Sequence, residues 1–269
     1  MPPSFPSLSS PLDRILTDLA SRDWPVALTA ADDLLSSISR AGGPECRRAL
    51  RLVCDLLRAP YAFGDGAAGN LVECLRDESR TPQQLFVVEM FDLNIAGARL
   101  NYPGIDFTDA RLVGANLNGV VLDQQKIVGA NLTGAMLNES FCRAVLFDRG
   151  AAPGASFVRA DFETSRFTGG FKAEGANFTD AILQDTVLVA VKFAGATLVK
   201  ANLQHARLTG VDLSGANLTG ANLWGTTLQD VDLRGANLTG VQLRGDEIWR
   251  GVGLEGAIGA DRIDVAVQP

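Results

Sequence analysis

A five-residue period in the second half of the chain is the feature that most constrains its fold. The stretch VDLSGANLTGANLWG, residues 211–225, repeats a small apolar residue, Asp or Asn, Leu and two small or polar residues three times. Leu, Phe or Ile continues at every fifth position from Phe178 to Ile248, and a rougher series runs from Phe107 to Phe167. This period matches neither an α-helix nor the simple alternation of a strand.

Each five-residue block is predicted to be a short extended piece followed by a corner. The central Leu or Phe and the residue two before it lie on the same side of an extended segment, and both are apolar, so both face an interior. The next inward residue comes three positions later. The chain must therefore turn at the two residues after the centre, where pairs such as Ser214-Gly215 and Thr219-Gly220 stand. A chain that turns this way every five residues coils, and its coils stack about 4.8 Å apart.

The blocks ANLTG, VDLSG, ANLWG and VDLRG resemble the A(D/N)LXX motif of the pentapeptide repeat proteins. The resemblance implies a right-handed, four-sided β-helix with four blocks in each coil. The centres of the most regular blocks are then core residues, namely Leu203, Leu208, Leu213, Leu218, Leu223, Leu228, Leu233 and Leu238.

The sequence predicts three parts, with a mainly β architecture. Residues 1–87 contain amphipathic patterns such as PLDRILTDLASR and are predicted to be a small all-α domain or N-terminal cap. Residues 88–250 form the β-helix, and residues 251–269 form a C-terminal cap or tail, with Trp249 expected to cover the last coil. No apolar run approaches the ~20 residues that a membrane span needs, and no secretory signal is visible. We therefore expect a cytoplasmic protein that does not insert into membranes.

The sequence does not favour catalysis. His205, the only histidine, stands at a corner with no nucleophile in its neighbourhood of the pattern. The four cysteines have no spacing typical of a metal site, and a filled coil leaves no pocket. We predict a protein that is not an enzyme and that has no catalytic residue, no cofactor and no metal.

Outward apolar residues break the repeat and indicate a role in binding. The usual occupants of these positions are polar, and contiguous exposed apolar area usually marks an interface. This favours an interaction scaffold for a protein partner, and a homodimer remains open. The helical domain covering the same strip is an equal alternative. The candidate surface consists of Phe141, Leu146, Ile182, Val187, Val189 and Trp224.

The family resemblance implies a second function, protection of a type II topoisomerase such as DNA gyrase by mimicry of DNA. Mimicry requires dense negative charge, and Asp161, Glu163 and Asp185 form a candidate acidic strip. Residues 105–250 nevertheless contain 15 Asp or Glu and 13 Lys or Arg, so the net charge of −7 is not concentrated on the coil. That overall charge also disfavours direct binding to nucleic acid. An effector or targeting module is a third alternative.

Overall fold

The computed structural model describes residues 11–23, 25–27, 29–31, 33–34, 107–245 and 247–260 of the 269-residue chain. The described residues fall into two compact units, one helical and one coiled. In the first unit, α1 spans Pro11–Leu19, and residues 25–27, 29–31 and 33–34 are also helical. Its buried side chains are Leu19, Ala27, Ala30, Ala31 and Leu34. The remainder of the predicted helical domain, and the boundary at residue 87, lie outside the described residues.

The second unit is a parallel β-helix, which confirms the coil predicted from the five-residue period. Seven three-residue strands stack in chain order, each pairing in parallel with the next. Successive strands pair at a distance of one coil, so that Lys126 is opposite Leu146 and Leu146 is opposite Arg166. The strands are β1 Lys126–Val128, β2 Leu146–Asp148, β3 Arg166–Thr168, β4 Val187–Val189, β5 Arg207–Thr209, β6 Thr227–Gln229 and β7 Ile248–Arg250.

Three further columns of single bridges complete the four sides. We call the side made by the strands the first face, and the second, third and fourth faces follow it along the chain. The second face includes the bridge between Lys172 and Lys192, and the third includes the bridge between Asn177 and Thr197. The fourth face carries a column of bridged residues, Val121, Phe141, Asp161, Ile182, Asn202, Asn222 and Gln242. The residue directly before each centre is the one that bridges, and we call it the outward residue.

The interior is filled by the centres and by the residues two before them. The centres from Leu203 to Leu238 are buried, as are their small partners such as Ala216 and Ala221. The middle coils contain phenylalanine instead, and the rings of Phe147 and Phe167 stack with centroids 4.7 Å apart.

The second face shows how the interior stays filled where the residue at the centre of a block is small. Ala173 is a buried centre, and Phe171, two residues before it, is also fully buried. A large inward neighbour thus compensates for a small centre. In the preceding coil Gly150 occupies the position of Phe171, and a Cβ there would lie 3.1 Å from the Phe171 ring and 2.8 Å from the Ala130 carbonyl oxygen. Gly150 is therefore required by the packing of its neighbours.

The corners use a left-handed backbone at the second residue after each centre. Gly215 and Gly220 have φ of 64° and 68°, and non-glycine residues such as Asp230 and His205 adopt φ of 54° and 58° at equivalent positions. The outward Asn and Asp brace these corners. Asn217 Oδ1, for example, accepts hydrogen bonds from the Thr219 backbone N–H at 3.1 Å and from its hydroxyl at 2.6 Å.

The predicted register is wrong at its C-terminal end. Trp249, not Ile248, pairs with Leu228 and takes the inward position, so Trp249 is 7% exposed and Ile248 is 49% exposed. An extra residue between Leu243 and Trp249 shifts the frame, and the Glu247 carboxylate accepts the backbone N–H groups of Arg244 and Gly245 at 2.7 and 2.8 Å. Stacking then continues beyond residue 250 through Gly253 and Ile258. Trp249 is therefore part of the coil interior.

Candidate protein-binding surface

The six apolar residues singled out from the sequence lie on two consecutive faces. Phe141 and Ile182 are outward residues of the fourth face, and they are 45% and 38% exposed. Leu146 and Val187 are outward residues of the first face and are half-buried. Val189 follows the centre of β4 and is 37% exposed. Ile182, Val187 and Val189 thus share one turn of the coil. Ile182 and Val187 flank the corner between the two faces, and Val189 lies at the far end of β4, before the next corner.

Trp224 lies apart from the other five residues, two coils further along the fourth face. Its side chain is half-buried at a corner, and the guanidinium of Arg244 lies 5.4 Å from the centre of its ring. The indole face is thus occupied by a cation of the next coil, an arrangement that is favourable because the ring face is electron-rich. Trp224 therefore contributes less free surface than its size suggests.

Two of the three residues of the candidate acidic strip lie beside Arg143, and the third, Asp185, accepts a hydrogen bond from the Gln184 amide at 3.2 Å. Asp161 bridges between Phe141 and Ile182 in the fourth-face column and is only 6% exposed. Its Oδ2 accepts a hydrogen bond from Arg143 Nε at 2.6 Å, and its Oδ1 accepts the backbone N–H of Glu163 at 3.0 Å. Arg143 Nε also lies 3.9 Å from the Glu163 carboxylate. The hydrogen bond to Asp161 and its charge raise the pKa of Arg143. Asp161 is thus a brace of the coil, and Arg143 offsets the charge around it.

Oppositely charged pairs recur on the other faces. Arg149 Nε contacts Asp148 at 2.8 Å, and Arg234 Nε donates to Asp232 at 2.9 Å. The hydrogen bond from the Arg234 side chain lowers the pKa of Asp232 to about 2. Arg159 forms a further ion pair with Glu139. The described coil therefore has a mixed surface with local pairing of charges.

The first face contains a pattern that sequence reasoning missed. Its first five outward residues, in coil order, are Lys126, Leu146, Arg166, Val187 and Arg207, so an exposed cation alternates with a half-buried aliphatic residue. The alternation ends there, because Thr227 and Ile248 follow. The alternation is invisible at a period of five. It appears only when residues one whole coil apart are compared, with allowance for the extra Gly170. Comparing residues one coil apart in the sequence could therefore have revealed this alternation.

Cys142 is buried in the coil, and His205 is exposed at a corner. Burial raises the pKa of the Cys142 thiol to about 12, so the thiol stays protonated inside the coil. His205 projects from a corner against the next coil, where its Nδ1 would lie 2.4 Å from a Cβ added to Gly225. The described ranges contain no group of three His, Cys, Asp or Glu side chains arranged to hold a metal ion. None of their helices has the length and apolar character needed to cross a bilayer.

The fold and this surface define a β-helical repeat protein whose exposed apolar and charged side chains lie on the outer faces of the coil. The sequence profile of the pentapeptide repeats matches residues 105–141, 174–215 and 212–245, with eight copies. The matched segments of the chain are pentapeptide repeats.

Several solved structures resemble the chain. QnrB1, a plasmid-mediated fluoroquinolone resistance protein, is 16% identical with a TM-score of 0.48, and the match covers 62% of this chain and 89% of that one. HetL, involved in heterocyst differentiation regulation in the cyanobacterium Nostoc sp. strain PCC 7120, is 26% identical with a TM-score of 0.32 and coverage of 71% and 91%. A pentapeptide repeat protein of the Arabidopsis thaliana thylakoid lumen is 26% identical with a TM-score of 0.26 and coverage of 46% and 72%. No curated protein sequence matches the chain.

Proposed function

We propose that this protein is a non-catalytic scaffold that binds a protein partner through the first and fourth faces of its coil. The observation that carries the proposal is the exposure of Phe141, Ile182 and Val189 on a coil whose outward residues are otherwise mostly polar or charged. Burying an apolar side chain of this size against a partner contributes about 1.5–3 kcal/mol. A few such residues on two neighbouring faces provide apolar area for a partner.

The distribution of charge favours a scaffold over a DNA mimic that inhibits or protects a type II topoisomerase. A mimic needs a continuous anionic face, because it must replace a polyanion on a cationic protein surface. On this coil Asp161 is buried beside Arg143, and Asp148 and Asp232 each contact an arginine. We therefore place the partner among proteins that offer an apolar surface, without assigning a topoisomerase.

The double substitution Val187→Asp and Val189→Asp tests this proposal. Both side chains lie at the proposed contact, so two buried carboxylates are expected to abolish recovery of the native partner in an affinity pull-down of the full chain. Thr197→Asp with Val199→Asp is the matched control, because these residues flank the centre Leu198 of the third face in the same way. The control is expected to retain the partner.

Equal recovery with both double variants would contradict the proposal, as would equal loss with both. Size-exclusion chromatography with light scattering identifies the case in which the partner is a second copy of the chain. In that case, the Val187→Asp and Val189→Asp variant alone is expected to change the oligomeric state. Circular dichroism checks that both variants keep the coil.

A further inference from the structure

The alternating column of the first face extends over five successive coils. Lys126, Arg166 and Arg207 are exposed, whereas Leu146 and Val187 between them are half-buried. The strands that carry these residues are paired in register, so the five side chains form one line along the coil axis. Val189, 37% exposed, adds apolar area beside Val187.

The three cations of this line have no carboxylate partner among the described residues. Elsewhere on the coil, Arg143, Arg149, Arg159 and Arg234 each contact an Asp or Glu. Asp148, which lies in the column beside the line, contacts Arg149 and accepts a hydrogen bond from the Thr168 hydroxyl at 2.9 Å. The line therefore presents positive charge that is free to meet an external anion, with aliphatic area between the charges.

The spacing along the line selects between the two regular shapes that a partner segment could have. Adjacent coils are about 4.8 Å apart, so successive cations are about 9.6 Å apart. One face of an α-helix presents a residue about every 5.3 Å and repeats after seven residues at about 10.5 Å. One side of a β-strand presents residues every ~6.8 Å, which matches neither interval. The small mismatch with the helix is within the reach of flexible Lys and Arg side chains.

We propose that the first face binds an acidic amphipathic α-helix lying along the coil axis. Acidic side chains seven residues apart contact Lys126, Arg166 and Arg207, and apolar side chains midway between them pack on Leu146 and Val187. This inference rests on the proposed binding function and specifies its partner. About fifteen helical residues cover the ~19 Å between the outermost cations.

A synthetic helical peptide provides the direct test. The probe is a labelled, end-capped, alanine-rich peptide of ~18 residues, with Glu at every seventh position and Leu midway between the Glu residues. Binding to the full chain is measured by fluorescence anisotropy. The triple variant Lys126→Glu, Arg166→Glu and Arg207→Glu is expected to bind at least about tenfold more weakly, because three favourable ion pairs become repulsive.

Charge reversal in the peptide makes the test specific. A peptide with Lys in place of Glu is expected to bind the triple variant and not the original chain. The matched control, Lys172→Glu with Lys192→Glu and Lys200→Glu, changes the net charge equally at exposed positions on other faces and is expected to retain the Glu peptide.

Several results would overturn the inference. Equal weakening by the control variant would show attraction to the overall charge. Unchanged binding of a peptide with Ser in place of Leu, or with a central helix-breaking Pro, would remove the apolar or the helical requirement. Binding of duplex DNA or polyglutamate as tightly as the peptide would show a general anion-binding face.

The native partner distinguishes failure of this inference from failure of the proposed function. If Val187→Asp with Val189→Asp loses the partner and the triple charge variant keeps it, the scaffold function stands and the acidic helix is excluded. If both variants keep the partner, both proposals fail.

Discussion

The middle coils and the later coils of this protein are stabilised in different ways. In the later coils, Asp212 and Asn217 are outward residues that accept hydrogen bonds from their own corners. In the middle coils, Phe141 and Ile182 occupy the same position and cannot do so. The Arg143 backbone N–H instead donates to Asp123 of the preceding coil at 2.9 Å. At Phe141 the outward position is therefore available for another role, because the corner is braced from the preceding coil.

The core differs in parallel with the surface. Phe162 lies 5.4–5.8 Å from the rings of Phe147, Phe157 and Phe167, whereas Leu223, three coils further along the same column, follows Leu183 and Leu203. Aromatic side chains bury more area and gain from edge-to-face contact. The middle coils therefore gain from ring contacts that the leucine-rich later coils lack. The predictions below test this difference between the two regions.

The largest effect is expected from truncating the aromatic core. Phe162→Ala is expected to destabilise the coil by about 3–5 kcal/mol, because it leaves a cavity among three rings. Leu223→Ala, in the same column, is expected to cost about 1 kcal/mol less because it removes less volume and no ring contacts. Urea denaturation followed by circular dichroism measures both. A larger cost for Leu223→Ala would break the comparison.

Overpacking the second face is expected to have the next largest effect. Gly150→Ala adds a Cβ that would approach the Ala130 carbonyl oxygen and the Phe171 ring, so we expect a loss of about 1–3 kcal/mol. In the double variant with Phe171→Leu, part of this loss is expected to be recovered. Absence of coupling in the double-mutant cycle would argue against compensation of volume between these positions.

Removing a hydrogen-bonding side chain is expected to have a smaller effect on stability, and the effect is expected to differ between the middle and the later coils. Ser165 is fully buried, donates to the Cys142 carbonyl at 2.5 Å and accepts the Val145 N–H at 3.0 Å. Ser165→Ala is expected to cost about 1–3 kcal/mol, since both backbone groups lose a buried partner. Asn217→Ala removes a part-buried brace in the later coils and is expected to cost about 0.5–1.5 kcal/mol. Thermal unfolding of the two variants shows which substitution destabilises the coil more. Equal losses of stability would contradict the expected difference between the buried serine and the part-buried asparagine.

The smallest effect concerns pH. The pKa of Asp232 in the folded coil is about 2, below its value of about 3.9 in an unfolded chain. Its contribution to stability is therefore present above about pH 4 and is lost as the pH falls toward 2. Carboxyl titration by NMR is expected to show a higher pKa in Arg234→Gln, and the same pKa in both proteins would contradict the assigned cause.

The five-residue pattern was enough to predict the coil, because the spacing of inward residues leaves few alternatives to a repeated corner. It was not enough at β7, where Ile248 and Trp249 are both apolar and one extra residue decides which side chain turns inward. Burying the larger indole is more favourable than burying the isoleucine side chain. The five-residue pattern alone does not show which of these two adjacent residues faces the interior.

The candidate surface was predictable only in part. Outward apolar residues such as Phe141 and Val189 follow from the block pattern alone. The ion pair between Arg143 and Asp161 joins residues about one coil apart, and the cations on either side of Arg166 are two coils from it. Both depend on the coil length and on the glycine insertion, which set the register between coils.

The buried thiol of Cys142 can serve as a probe of local opening of the coil. Because this thiol is inaccessible and protonated when the coils are stacked, a thiol-specific reagent can modify it only while the neighbouring coils are separated. The rate of its modification therefore measures how often the coils around Cys142 open locally. Cys142 is next to Phe141, which belongs to the surface where we expect a partner to bind.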